Sequence, residues 1–161
     1  MVKANAVFKG NLFMQAMPHQ YHVNANAKPD DNLVVSVTNL PDLTMAAPQQ
    51  FGGPGDKWSP EDMLMASISS CFILSFKAIA RASKFDWVSI ECHSQGTLDR
   101  VDGVTQFTKV VTDVTLMIPE TENKQNAQKL LHKADKSCLV ANSLHTEIEL
   151  KINEIRSVPV N

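Results

Sequence analysis

The sequence has no dense run of lysine or arginine, and with a formal net charge of −2 it lacks the basic footprint that a phosphate backbone or an anionic membrane surface selects. Neither nucleic acid nor a membrane is therefore an expected partner. Cysteine is scarce. Three residues at wide spacing, Cys71, Cys92 and Cys138, are an odd number that fits neither a disulfide framework nor a zinc ribbon, so any special role must come from thiol reactivity. The N-terminus, MVKANAVFKG, has no sustained apolar core and no small-residue cleavage site, which makes the cytoplasm the expected location. The uncharged apolar and small-residue stretch from Met63 to Phe76 runs for 14 residues, short of the roughly 20 that a membrane-spanning helix needs.

What is present is the composition of an ordinary soluble domain, 43% apolar and 20% charged over 161 residues. A chain of that length buries roughly 70% of its unfolded surface around one core, so a single domain over residues 1–161 is expected.

Alternating segments at Ala4–Gln15, Tyr21–Ala27 and Leu33–Thr38, separated by Pro18 and by Lys28-Pro29-Asp30-Asp31-Asn32, predict an antiparallel N-terminal meander. From Asn39 to Ser59 the prolines and the run Phe51-Gly52-Gly53-Pro54-Gly55-Asp56 predict a long loop, of a length usually kept for binding or covering a site. Ser59-Pro60-Glu61-Asp62 has the form of a helix start, with a serine cap, proline at the first helical position and two acids in the first turn. The helix should run to Arg81 or Ser83, and with small or apolar residues on nearly every face it should be a core element. Strands are expected at Trp87–Gln95 and Phe107–Ile118, with a hairpin turn at Asp102-Gly103. A helix over Glu122–Lys136, a short one over Cys138–Ser143 capped by Ser137, and a strand over Thr146–Ile152 complete an α+β order of elements.

The thiols differ in setting. Cys71 lies on the long helix beside Ser67, Ser69 and Ser70, which leave room around its sulfur; free cysteine also packs as a small hydrophobe, so a core role and a reactive role are both open. With Ser137 as cap, Cys138 would stand at the first helical position, where the helix dipole lowers a thiol pKa. Cys92 shares a strand face with Val88 and Ile90 and should be core, while His93 points to the other face and cannot join it on one metal. His132, Cys138 and His145 offer no pair at a recognised zinc spacing, and neither metal nor cofactor is expected. His19 and His22, on either side of Tyr21, are a proton-transfer pair or exposed strand residues, and Phe51, Trp58 and Trp87 are core aromatics or the wall of an apolar pocket.

Two segments together resemble one family. Ser59-Pro60-Glu61-Asp62-Met63-Leu64-Met65-Ala66-Ser67-Ile68-Ser69-Ser70-Cys71 is similar to the first cysteine helix of the osmotically inducible protein C and organic hydroperoxide resistance (OsmC/Ohr) family. Ala134-Asp135-Lys136-Ser137-Cys138-Leu139-Val140-Ala141-Asn142-Ser143 resembles its second cysteine motif, with Asn142 in the matching place. The element order agrees over roughly residues 4–153. The resemblance implies an intertwined homodimer and a thiol-dependent peroxidase that reduces organic hydroperoxides in oxidative stress defence. Cys71 would attack the O–O bond and become a sulfenic acid, Cys138 would resolve it to a disulfide, and an external dithiol such as a protein-borne lipoyl group would reduce that disulfide.

Glu61 matches the family's orienting carboxylate. Ten helical residues separate it from Cys71 by about 15 Å, so the two can serve one site only across a subunit interface or a broken helix. The sequence departs from the family pattern at Leu139, where proline is common, and in having no arginine before Arg81 to hold the Cys71 thiolate. His19, His22, Lys9 and Lys57 are the available substitutes. The alternative implied by that departure is a non-catalytic protein of the same fold that binds a small apolar or thiol ligand or senses redox state.

Overall fold

The computed structural model describes residues 16–159, which form two compact units, the first ending at Met45 and the second beginning at Ala46. The expected strand at Ala4–Gln15 lies outside the described residues. In the first unit, β1 (Asn24–Asn26), β2 (Leu33–Ser36) and β3 (Leu43–Met45) pair antiparallel in sequence order. The meander is therefore real but shorter than the alternation suggests, and its third strand falls inside the segment expected to be loop.

The second unit is built on a sheet of order β4-β5-β6, with β4 at Ser89–Val101, β5 at Val104–Pro119 and β6 at Glu147–Val158. The β4-β5 hairpin turns at Asp102 and Gly103, whose φ angles of 51° and 83° are the left-handed values a two-residue turn needs. Both strands outrun their expected ends, because ladder pairing continues from Gln95 through Val101 where the hydrophobic pattern has faded. β6 returns parallel to β5 and continues to Val158. A parallel return needs a long crossover, supplied here by α2 (Lys124–Lys136) and the short α3 (Leu139–Asn142).

α1 (Pro60–Ala82) begins as its sequence predicts. Ser59 Oγ accepts from the Asp62 amide at 3.1 Å, and Asp62 Oδ2 accepts from the Ser59 amide at 3.1 Å. At 23 residues α1 exceeds the 14-residue uncharged run and is long and apolar enough, by length and composition, to cross a membrane. It also does what a core helix does. Ile68, Phe72, Phe76 and Ala80 are buried, and Phe72, Phe76 and Ala80 join Val114, Leu116, Ile118, Leu130 and Leu131 in one cluster between the helices and the sheet. Each large apolar side chain of this cluster contributes about 1.5–3 kcal/mol, whereas the ion pairs lie on the exposed surface, so apolar packing sets where α1 lies. Trp87 caps the cluster edge-on to Phe76, with ring centroids 5.7 Å apart.

Candidate functional site

α1 and the α2-α3 junction bring two of the three cysteines together. Cys71 is half-buried on α1, Cys138 is 1% exposed, and both are free thiols in contact through their side chains. Cys138 differs from its sequence expectation in two ways. Ser137 closes α2 instead of opening the next helix, and Cys138 itself occupies the cap position of α3. Its thiol is not lowered. Burial pushes it up to about 11, with hydrogen bonding and charge from Cys71 adding to the rise, while the backbone amides of Ala141 and Val140 pull the other way. A single turn of helix cannot offset the loss of water around so enclosed a sulfur. The junction is held by local bonds: the Cys138 amide donates to Asp135 O, the Asn142 amide donates to Cys138 O at 3.0 Å, and Asn142 Nδ2 donates to Lys136 O at 3.0 Å.

Glu61 stands in the first turn of α1, about 15 Å along the axis from Cys71 of its own chain. Its Oε2 is buried without a hydrogen-bond partner among the described residues. It borders a cavity of about 220 Å³ with Phe51, Met65, Gly96 and Phe107. A buried carboxyl oxygen costs stability unless something donates to it, and among the described residues nothing does.

The arginines stand elsewhere. Arg81 is exposed in the last turn of α1, Arg100 Nε donates to Gly103 O at 3.3 Å beside the hairpin turn, and Arg156 pairs with Glu154 at 2.8 Å. Among the suggested substitutes, Lys57 is paired to Asp56 at 2.9 Å, His19 and His22 are exposed in the first unit, and Lys9 lies outside the described residues. Phe51 and Trp58 are largely exposed, so only Trp87 of the three aromatics is a core residue in the single chain.

Cys92 is half-buried against the core, not sealed in it. Burial raises its pKa, hydrogen bonds with Ser69 and Ser94 oppose the rise, and the Asp113 charge adds to it. It belongs to a chain of hydroxyls that sequence reasoning missed: Ser69 Oγ donates to Ser94 Oγ at 2.8 Å, and Ser94 Oγ lies 3.2 Å from Thr112 Oγ1. These residues come from α1, β4 and β5, and only strand alternation placing Cys92 and Ser94 on one face hinted at them. Among the described residues no three His, Cys, Asp or Glu side chains converge in a way that could hold a metal.

Known proteins are similar to this chain in sequence and in fold. YmaD of Bacillus subtilis, an uncharacterized protein, is 22% identical over 138 residues, covering 83% of this chain and 92% of its own. An OsmC-like protein of unknown function from Vibrio cholerae superposes with a TM-score of 0.74 at 23% identity, over 85% of this chain and 99% of that one. The organic hydroperoxide resistance protein OsmC of Legionella pneumophila superposes with a TM-score of 0.67 at 24% identity, over 88% and 100%. The α+β architecture seen here is that of these structures, and the model of the OsmC-like protein family matches residues 53–153, from the loop before α1 through both cysteines and into the last strand; the chain belongs to that family.

Proposed function

We propose that the protein is a cysteine-based peroxidase that reduces organic hydroperoxides, working as an intertwined homodimer in the cytoplasm. The observation that carries this reading is the meeting of Cys71 and Cys138, 67 positions apart in the sequence, at the α1-α3 contact. The more accessible sulfur, Cys71, attacks the terminal peroxide oxygen as a thiolate. The O–O bond breaks, the alkoxide leaves and takes a proton to become an alcohol, and Cys71 becomes a sulfenic acid. Cys138 then attacks that sulfur, the S–O bond breaks, hydroxide leaves with the Cys138 proton as water, and a Cys71–Cys138 disulfide remains. An external dithiol restores both thiols and is itself oxidised to a disulfide.

The protonated Cys138 thiol has a second task in this scheme: it is the hydrogen-bond donor beside the Cys71 thiolate that the family's missing arginine would otherwise provide. Glu61, too far from Cys71 of its own chain, serves the site of the second copy. The apolar surface that α1 leaves uncovered, including Leu74 at 63% exposure, supports an apolar hydroperoxide and a subunit packed along that helix.

The placement of the three arginines favours a second reading, a redox sensor or thiol-ligand protein without turnover. Rapid mixing with cumene hydroperoxide separates the two. The peroxidase loses two thiols per chain, Cys138→Ser loses one and accumulates a sulfenic acid that dimedone traps, and Cys71→Ser does not react. Reaction no faster than that of free cysteine rejects catalysis.

A further inference from the structure

The chain carries a net charge of −2, yet α2 holds four lysines and a single acid, Asp135. That helix is therefore at +3 while the remainder of the chain is at −5. Its apolar face, Ala127, Leu130, Leu131 and Ala134, is buried, and on the opposite side Lys129, His132, Lys133 and Lys136 are all exposed. At 100° per residue these four form one stripe over the last two turns of α2, ending at the turn that contains Cys138. Just beyond it Leu139 is 72% exposed.

Helix stability does not explain this distribution. Lysines in the last turn complement the helix dipole, but Lys124 at the first position opposes it, and the first turn contains no acid. Lys129, Lys133 and Lys136 make no salt bridge among the described residues, and Asp135 is the one acid of α2 whose charge acts on the stripe, at His132 and Lys136. An exposed apolar side chain at the end of a basic stripe has the anatomy of an interface with an anchor and a charged rim.

We propose that the exposed face of α2, with Leu139 as apolar anchor, docks an acidic protein that presents the reducing dithiol to the Cys71–Cys138 disulfide. The proposal rests on the redox reading of that pair and adds to it the kind of partner. An acidic protein fits better than a polyanion. The stripe covers only about 10 Å of helix, and an extended phosphate array would run on over a surface at −5, whereas a compact acidic patch matches the stripe alone. Its position also suits the chemistry, since the stripe ends beside the α2-α3 junction that contains Cys138.

The test starts from protein whose Cys71–Cys138 disulfide has been made with diamide, and follows its reduction by two reagents of identical chemistry. One is free dihydrolipoamide, and the other is the same group carried on an acidic lipoyl domain. With the domain, reduction is expected to slow about 10-fold or more in the double variant Lys129→Glu/Lys133→Glu. A comparable loss is expected when salt rises from about 0.01 M to 0.15 M, which shortens the Debye length from about 30 Å to about 8 Å. With the free reagent all rates should stay within about twofold, because a small neutral dithiol has no charged patch to lose. Lys124→Glu, off the stripe, should slow neither reagent.

Equal loss with both reductants, no loss with the domain, or an effect of Lys124→Glu as large as that of the double variant overturns the proposal. Salt-sensitive binding of duplex DNA or anionic vesicles that disappears in the double variant does so too, in favour of a polyanion. A protein that consumes no cumene hydroperoxide, but whose diamide-made disulfide shows the lysine and salt dependence, retains the docking surface and loses the peroxidase reading.

Discussion

Cys138 should make the protein sensitive to alkali in a way that one substitution removes. Its thiol is 1% exposed and is raised by burial, with help from Cys71, from an ordinary 9.0 to about 11. The unfolded chain gives up this proton near pH 9 and the folded chain near pH 11. Between those values the unfolded state binds fewer protons, and stability falls as pH rises. The contribution is fully present below pH 9 and is lost through pH 11, roughly 3 kcal/mol in all. At pH 10.5 about 2 kcal/mol of it should be gone, a large part of the roughly 5–15 kcal/mol that holds a typical domain together. Urea unfolding of reduced protein at fixed concentration, at pH 7.5, 9 and 10.5, measures the loss. Cys138→Ala should be less stable than the parent at pH 7.5, because a packed sulfur has been removed, yet fall less steeply with pH. Cys92, also raised by burial, contributes to both proteins, so the difference in slope isolates Cys138. Parallel curves for the two proteins would refute the placement of a protonated, sealed Cys138.

Two further outcomes follow from the packing. Ser59→Ala removes the buried serine of the α1 capping box and leaves the Asp62 amide without its acceptor, so it should cost about 1–2 kcal/mol in urea unfolding with an unchanged m-value. Gly96→Val should destabilise by about 1–3 kcal/mol, since a Cβ there would lie 2.7 Å from the Phe107 ring and 2.9 Å from Met65 Cε, and it should narrow the cavity beside Glu61.

The parts of this fold that could be read from sequence are those whose physics is local. Ser59, Pro60 and Asp62 set the start of α1 through bonds within four residues, and Asp102-Gly103 fixes its own turn. The second half of β4 could not be read, because Gly96–Val101 is held by its ladder with β5 and shows no buried face. β3 escaped for a related reason, being three residues that become a strand only by pairing with β2. At the site, the two-cysteine pattern was visible as a family resemblance, whereas the state of Cys138 was not. The sequence rule weighed one helix cap, and the fold weighed burial by α1 and α2. The Ser69-Ser94-Thr112 chain joins residues up to 43 positions apart and has no spacing to betray it.

The raised Cys138 thiol and the proposed cycle bear on each other. Two of the influences that keep Cys138 protonated come from Cys71, through its hydrogen bond and its charge, and both depend on Cys71 being a thiol or thiolate. Once Cys71 becomes a neutral sulfenic acid, its charge no longer opposes ionisation of its neighbour. The amides of Ala141 and Val140, which favour the Cys138 thiolate, remain in place. Oxidation of the first sulfur therefore lowers the cost of ionising the second. A resolving thiol held near 11 in the resting protein is protected from reacting with peroxide itself, because the thiolate is the nucleophile, and it becomes competent at the step where a disulfide is required. The order of events in the proposed cycle is then set by burial and by the contact between the two sulfurs.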